Sequence, residues 1–301
     1  MLICVKCGSI IVQNDNRIRY GTCSSCSVKS LTKEEKRAIE NKINKTKKKG
    51  TYEWVGKTLN TQEGCPYNCQ YPCYARLIRR KTEQQWKYAI FKEKWFNQKI
   101  EEYPMGFLAN VMCFSTHDIY TSNQNYCLKF MLRILNESKN TILITTKANL
   151  TTIKFLCSSL NEFKDRIKFM ITITSKSDTI AAKFEPNAPL ISERMLCLEY
   201  LNNYKWDFNV SIEPFLDKNP IILVKYICMT YPLVKTIWIG CNSRRDYDIY
   251  SLENLDSVFN EINALKNNFY FKNKLFFKNS FLDKYFKKLE NNVKGGSRLK
   301  V

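Results

Sequence analysis

From about residue 52 onward the chain alternates short β-rich runs with helical stretches, and this alternation limits its fold more than any other feature. The strand candidates are "EWVGKTL", "FLANVMCFS", "TILITT", "IKFMITITS", "DFNVSIEP" and "VKTIWIG". Helix-like patterns lie around residues 74–101, 122–138, 148–162, 189–203, 218–230 and 252–266. Six βα units in succession argue for a parallel sheet with helices outside, an open or closed α/β barrel. A last run, "KLFFKNSF", followed by "LDKYFKKLENN", offers a closing strand and helix. Reactive sites in such folds gather at the C-terminal ends of the strands. The unusual polar motifs of this chain fall at those ends.

With 301 residues, 44% of them hydrophobic and 25% charged, the chain can bury a full core and reads as one large domain with a small appendage. No apolar run reaches about 18 residues, so no membrane span or membrane partner is expected. The start, "MLICVKCGS", lacks a basic n-region, and the expectation is a cytoplasmic protein with reduced thiols. Of thirteen cysteines, Cys127, Cys157, Cys197 and Cys228 lie in helix-like apolar patterns and read as packing residues. Seven others are clustered, which in a reducing compartment points to metal. The formal net charge of +20 favours a polyanionic partner, nucleic acid first, although Lys and Asn abundance throughout the chain is also a compositional habit.

Residues 1–28 pair "CVKC" with "CSSC", so that Cys4, Cys7, Cys23 and Cys26 form two knuckles able to aim four sulfurs at one tetrahedral zinc. Gly8 and Gly21 suit the knuckle turns, and "IIVQNDNRIRY" reads as two short strands around an Asn-Asp-Asn turn. So small a segment needs the metal for most of its folding energy. A zinc ribbon is expected, with a redox dithiol as the alternative. Residues 29–50 form a basic linker, with a capped helical start at Thr32 and the charge run "NKTKKKG".

"GCPYNCQYPCYAR" follows the first strand and places Cys65, Cys69 and Cys73 within thirteen residues. A [4Fe–4S] cubane takes one external ligand per iron, normally four thiolates. Three thiolates leave one iron open to a small-molecule chelate. The alternative is zinc, which would need a fourth ligand such as His117, the only histidine. The loop resembles the Cys-x3-Cys-x2-Cys loop of the radical S-adenosylmethionine superfamily, and "TLNTQEGCPYNCQYPCYAR" is most similar to the spore photoproduct lyase-like branch. It departs from that pattern by one residue, as if Pro72 had been inserted between Tyr71 and Cys73.

The resemblance runs from about residue 52 to 285 and includes "MCFSTHDIYTSN", with Thr116, Asp118 and Tyr120, and "ILITTKANL", with Thr146 and Lys147. It continues through "EPNAPLISER" (Glu185, Pro186, Asn187, Pro189, Ser192, Glu193 and Arg194), "VSIEPFLD" (Glu213 and Pro214) and "IWIGCNSRR" (Gly240 and Asn242). It implies a partial (βα)6 TIM-type barrel over residues 51–290, preceded by the ribbon and followed by a basic tail, 291–301. It implies a [4Fe–4S] cluster on Cys65, Cys69 and Cys73, S-adenosylmethionine on the open iron, and a one-electron donor such as flavodoxin or ferredoxin. Lys147 is expected to pair with the cofactor carboxylate. Tyr71, Ser115, Thr116, Asp118 and Ser175 are further cofactor candidates, Ser115, Thr116 and Ser175 being equally readable as turn caps. Glu213 is a binding residue or the ion-pair partner of Arg194. Cys113 is a candidate hydrogen-atom donor, or a buried core cysteine.

The function expected from these features is reductive cleavage of S-adenosylmethionine to a 5′-deoxyadenosyl radical acting on a nucleic acid, in DNA lesion repair or RNA modification. Radical modification of a protein or peptide is the alternative. From another class comes a non-catalytic iron–sulfur and zinc protein that binds nucleic acid.

Overall fold

The computed structural model describes residues 50–88, 97 and 110–296, together with the strand pieces Leu2–Ile3, Ile10–Ile11 and Ile90–Phe91. The chain divides into two compact units, residues 1–49 and 50–301. In the first, Leu2–Ile3 pairs antiparallel with Ile10–Ile11; the Asn-Asp-Asn turn and the second strand expected after it lie outside the described residues. Cys4, Cys7, Cys23 and Cys26 lie outside the described residues, as does most of the expected linker.

The second unit is built on seven strands: β1 (Lys57–Leu59), β2 (Asn110–Cys113), β3 (Thr141–Thr146), β4 (Ile167–Thr172), β5 (Asp207–Ile212), β6 (Ile237–Ile239) and β7 (Leu275–Phe277). They form one parallel sheet in sequence order from β1 to β7. This is an incomplete (βα) barrel with one strand more than the six units counted from sequence, because "KLFFKNSF" pairs with β6. The longer helices are α3 (Gln124–Glu137), α4 (Leu150–Ser159), α6 (Ile191–Asn203), α7 (Ile221–Thr230), α8 (Leu252–Leu265) and α9 (Asn279–Gly296). The last runs through residue 291, where a tail was expected to begin. None of the described helices is long and apolar enough to cross a membrane.

Alternation along the strands sets which residues meet the helices. Val111, Cys113, Ile142, Ile144, Phe169, Ile171, Phe208, Val210, Ile237 and Ile239 enter one large core with the helices. From α3 that core takes Cys127, Phe130, Met131, Ile134 and Leu135, the i, i+3, i+4, i+7, i+8 stripe of an amphipathic helix. Side chains of opposite parity, Met112, Leu143 and Met170, form a second cluster with Val55, flanked by Trp54 and Trp238. The ring centroids of the two tryptophans are 6.0 Å apart, edge to face.

The segment 50–56 therefore lines the sheet face away from the helices, and it also joins the two edge strands. The Gly56 amide bonds to the Asn110 carbonyl at the start of β2 (3.2 Å). After β7, Lys278 Nζ donates to the Gly50 carbonyl (2.8 Å), pairs with Glu53 (3.0 Å) and sits 3.7 Å from the centre of a Trp54 ring. The Asn279 amide donates to the other Glu53 oxygen (3.0 Å).

The helix expected over 74–101 is interrupted. The described part holds α1 (Tyr74–Ile78) and α2 (Glu83–Trp86), and then Ile90–Phe91, which pairs antiparallel with Gln62–Glu63. Arg80 at φ 52° is in the left-handed region that ends helices. Thr82 opens α2 with a reciprocal capping box to Gln85. One helix was not anticipated, α5 (Asp178–Phe184), capped by Ser177 on the Ile180 amide.

Lys278→Ala strips the counter-charge from a Glu53 carboxylate that is 9% exposed. It should lower unfolding stability by about 3–5 kcal/mol in urea titration. The double variant Glu53→Gln/Lys278→Met should recover part of that loss, because Glu53 is then no longer an unpaired charge, while Glu213, 3.9 Å from Lys278, still loses its cation.

Candidate active site at the strand ends

The cysteine loop is held from both sides by backbone. Gly64 at φ 93° lets the chain pass under the α2 end, where an added Cβ would lie 2.2 Å from the Tyr88 carbonyl oxygen. The Cys65 amide donates to the Trp86 carbonyl (2.8 Å). A turn closes from the Asn68 amide to the Cys65 carbonyl (3.2 Å), with Asn68 at φ 38°. The Gln70 amide then docks on the Phe184 carbonyl at the end of α5 (2.7 Å). Cys73 is the N-cap residue of α1, its carbonyl accepting from the Leu77 amide (3.1 Å).

Cys65, Cys69 and Cys73 are free thiols, and Cys69 is buried with Tyr67 and Tyr71, against Cys65, Tyr120, Phe184 and Tyr247. Burial pushes the Cys65 thiol up to about 12, with Asp118 and Cys69 adding to the rise. Burial also raises Cys69, against the pull of Lys147.

Lys147 leaves β3 at its C-terminal end, with Nζ 6.0 Å from the centre of the Tyr71 ring. Burial alone would lower its pKa, but the nearby Cys69 sulfur and the Glu185 and Asp118 carboxylates outweigh it and hold the ammonium charged. Asp118 is committed to backbone. Its carboxylate accepts from the Thr146 hydroxyl, the Lys147 amide (2.9 Å) and the Ile119 amide (2.8 Å), so it clamps the end of β3 beneath Lys147. Asn60, directly after β1, holds the following loop in the same way: its Oδ1 accepts from the Ser115 and Thr116 amides (2.9 and 2.8 Å), and its Nδ2 donates to Ser115 Oγ (3.0 Å). The Tyr74 hydroxyl bonds to the Ser115 carbonyl.

His117 is structural. Nε2 accepts from the Thr61 amide (3.4 Å) and meets the Thr61 hydroxyl (3.2 Å), while Nδ1 lies 3.0 Å from the Asp118 carbonyl. The ring stacks on Phe114 at 4.5 Å. Both nitrogens are engaged, so the zinc alternative loses its fourth ligand.

On the other side of the mouth, Arg194 Nη2 pairs with Glu185 (2.6 Å) inside the protein, both side chains at 1% exposure or less. This corrects the alternative that Arg194 partners Glu213. Glu213 instead meets the Ser280 hydroxyl and lies 3.9 Å from Lys278. Burial raises its pKa, opposed by Lys278 and Ser280. It reaches Ser280 across Gly240, where a Cβ would sit 2.8 Å from the glutamate side chain. Ser175 donates to Asp217 (2.5 Å), whose other oxygen takes the Lys176 amide (2.7 Å). Cys113 is fully buried in the helix-facing core beside Cys127, away from the mouth.

Of the sequence candidates, Cys65, Cys69, Cys73, Tyr71, Asp118 and Lys147 come together, with Ser115 and Thr116 on the adjoining loop. Gly64, Asn60, Asp217 and Ser280 were not anticipated. Gly64 stands directly before the first cysteine and Asn60 directly after a strand, the two signals available in the sequence.

Among the described residues no three His, Cys, Asp or Glu side chains come close enough to hold a single metal ion. Three free thiols in one loop fit a sulfur-ligated group such as a cubane cluster with one iron left open.

No family model matches the chain, and no curated protein does. Among solved structures, SuiB of Streptococcus suis bound to the precursor peptide SuiA matches at TM-score 0.50 and 13% identity, over 93% of this chain and 60% of that one. Native anSMEcpe with bound AdoMet and the Cp18Cys peptide matches at TM-score 0.47 and 13% identity, over 73% and 62%. The S. suis SuiB complex with S-adenosylmethionine matches at TM-score 0.45 and 12% identity, over 86% and 56%. The chain spans about three fifths of the length of these proteins. The likeness to peptide-bound SuiB is one of fold.

Gly64→Ala should cost more than about 1 kcal/mol in thermal unfolding, since the left-handed φ and the Tyr88 carbonyl both oppose a side chain. His117 gives a pH signature. Burial lowers its pKa from 6.5 to about 4, so the folded chain resists a proton that the unfolded chain accepts. Its contribution is complete above about pH 6.5 and is lost as pH falls toward about 4, to a total of about 3 kcal/mol. Urea titrations at pH 7 and 4.5 should show this loss, and His117→Gln should reduce it.

Proposed function

We propose that this chain is a radical S-adenosylmethionine enzyme whose substrate is a peptide or protein. The observation that carries the reading is the set of three free thiols in the loop at the C-terminal ends of the strands, beside a charged Lys147 whose Nζ lies 6.0 Å from the Tyr71 ring. In this reading Cys65, Cys69 and Cys73 ligate a [4Fe–4S] cluster, and Cys4, Cys7, Cys23 and Cys26 hold a zinc ion. When bound, the cluster and S-adenosylmethionine supply a one-electron reduction that breaks the S–C5′ bond, giving methionine and a 5′-deoxyadenosyl radical.

The protein's own part is to bind, orient and keep water out. Lys147 offers its ammonium to the cofactor carboxylate, a charge-assisted bond. Asp118 acts on the backbone that carries Lys147, and Asn60 fixes the loop that presents Ser115 and Thr116. Tyr67 and Tyr71 wall the thiols from solvent, and the Trp54 cluster closes the sheet face below. Ser175 and Glu213 are already hydrogen-bonded to Asp217 and Ser280, so a cofactor would share or displace those partners. Cys113 has no role in this reading.

A peptide substrate is supported by the fold shared with SuiB, which was captured with a precursor peptide. Nucleic acid was the expectation from net charge, and exposed aromatic rings among basic residues would be its natural contact surface. Phe269 and Tyr270 are indeed 87% and 68% exposed, but they precede β7, at the end of the sheet opposite the cysteine loop. Phe271 and Leu275 are core residues. Base-stacking rings there do not serve a reaction at the cysteine loop.

Anoxically reconstituted full-length protein should hold about four irons and four sulfides in this site and, once reduced with S-adenosylmethionine present, release 5′-deoxyadenosine. Replacing all three cysteines by Ala should abolish both. Iron-loaded, reduced protein that leaves S-adenosylmethionine intact would sink the reading. Lys147→Ala should keep the iron and weaken cofactor binding by about tenfold to a hundredfold in equilibrium titration. Peptide pools, and not DNA or RNA oligonucleotides, should raise the 5′-deoxyadenosine yield.

A further inference from the structure

The buried Glu185–Arg194 pair lies outside the roles assigned so far, yet it is wired to the cysteine loop. The Tyr71 hydroxyl donates to Glu185 Oε1 (2.7 Å). Glu185 Oε2 accepts from Arg194 Nη2 (2.6 Å) and from the Thr174 hydroxyl (3.2 Å). Arg194 Nε donates to the Pro189 carbonyl (2.9 Å) and Nη1 to the carbonyl of Thr172, the last residue of β4 (3.1 Å). An unbroken series of hydrogen bonds thus runs from the end of a central strand to a residue two positions before the third thiol. Every polar atom of the carboxylate is used, which is what keeps two buried charges tolerable.

The loop spacing gives this series a purpose. Between Cys69 and Cys73 stand Gln70, Tyr71 and Pro72. Gln70 is pinned through its amide to the Phe184 carbonyl and Tyr71 through its phenol to Glu185. Only Pro72 separates the anchored Tyr71 from Cys73, and its ring fixes φ. On its far side Cys73 opens the five-residue helix α1, which is tied down by buried Ala75 and Arg76 and by the Tyr74 hydroxyl on the Ser115 carbonyl. The Cys73 thiol is thus held from both sides, and on the near side the hold runs through Tyr71.

Resting on the cluster reading above, we propose that Glu185 and Arg194 are positioning residues for the third iron ligand, acting through the Tyr71 phenol. Tyr71 and Pro72 together make a four-residue step from Cys69 to Cys73 as well defined as a shorter one.

The test uses the full chain, reconstituted without oxygen, as wild type, Tyr71→Phe, Glu185→Gln, the double variant and Pro72→Gly. The readouts are iron content, melting temperature, the electron paramagnetic resonance spectrum and midpoint potential of the reduced cluster, and the rate of iron loss to a chelator. Tyr71→Phe should keep its full iron, melt at a somewhat lower temperature because Glu185 Oε1 loses its donor, change the spectrum and potential, and speed iron loss by about tenfold, the factor for one charge-assisted hydrogen bond. Glu185→Gln should shift the spectrum in the same direction, and the double variant should match one single variant instead of adding the two. Pro72→Gly should speed iron loss with the wild-type phenol in place. Wild-type spectra, potential and iron loss in Tyr71→Phe would overturn the proposal while leaving the cluster reading standing, and so would additivity in the double variant. Should Glu185→Gln fail to fold, Tyr71→Phe and Pro72→Gly still decide. Wild type that takes up no iron would overturn the cluster reading itself, and this proposal with it.

Discussion

A parallel sheet joined by crossover helices has two faces to cover, and both must be apolar where they are covered. Here the helices account for one face only. The other is covered by a few residues that precede the first strand, Trp54 and Val55, against Met112, Leu143, Met170 and Trp238. Because β1 and β7 are the edges of the sheet, the same segment has to span the gap between them. It does so with charge: Lys278 bonds to Gly50 and Glu53 while its ammonium lies on a Trp54 ring. The apolar cover and the polar stitch are parts of one device, and the open mouth at the strand ends exists because the floor beneath it is closed.

At the mouth, the governing problem is how to hold charges out of water. Asp118, Glu185 and Arg194 are all buried, and each is saturated by hydrogen bonds or an ion pair within the fold. Lys147 stands among them and over Tyr71, without a private carboxylate partner within ion-pair distance among the described residues. Its charge is maintained by the surrounding negative field. That is the arrangement expected of a cation kept ready for an anionic ligand, since a lysine already paired would have to break a bond to receive one.

The βα alternation made the sheet, its strand order and its exposed ends legible in the sequence, and "TILITT" corresponds to β3 residue for residue. The three cysteines, Lys147 and Asp118 were legible as one neighbourhood because each follows a strand. What remained hidden was long-range pairing. Nothing local says that Glu53 meets Lys278, or that Glu213 crosses Gly240 to Ser280, because those partners are set by the sheet closing. The loop over 74–101 misled for a local reason: its apolar spacing suits a helix, while Arg80 and Thr82 interrupt it. Cys113 was open to two readings in the sequence, and strand parity places it in the helix-facing core, whereas Met112 joins the cluster on the other face.

The bond from Lys278 to Gly50 joins residues 228 apart in sequence. Neighbouring strands meet through short crossovers, so most of the sheet assembles from contacts between successive βα units. The edge-to-edge stitch is different in kind, because the logarithmic cost of closing so long a loop is about 5 kcal/mol in a flexible chain. That cost falls away only once the intervening sheet is already in place. The stitch thus costs least when the sheet between its two ends is already in place, and the floor of the mouth depends on every strand above it.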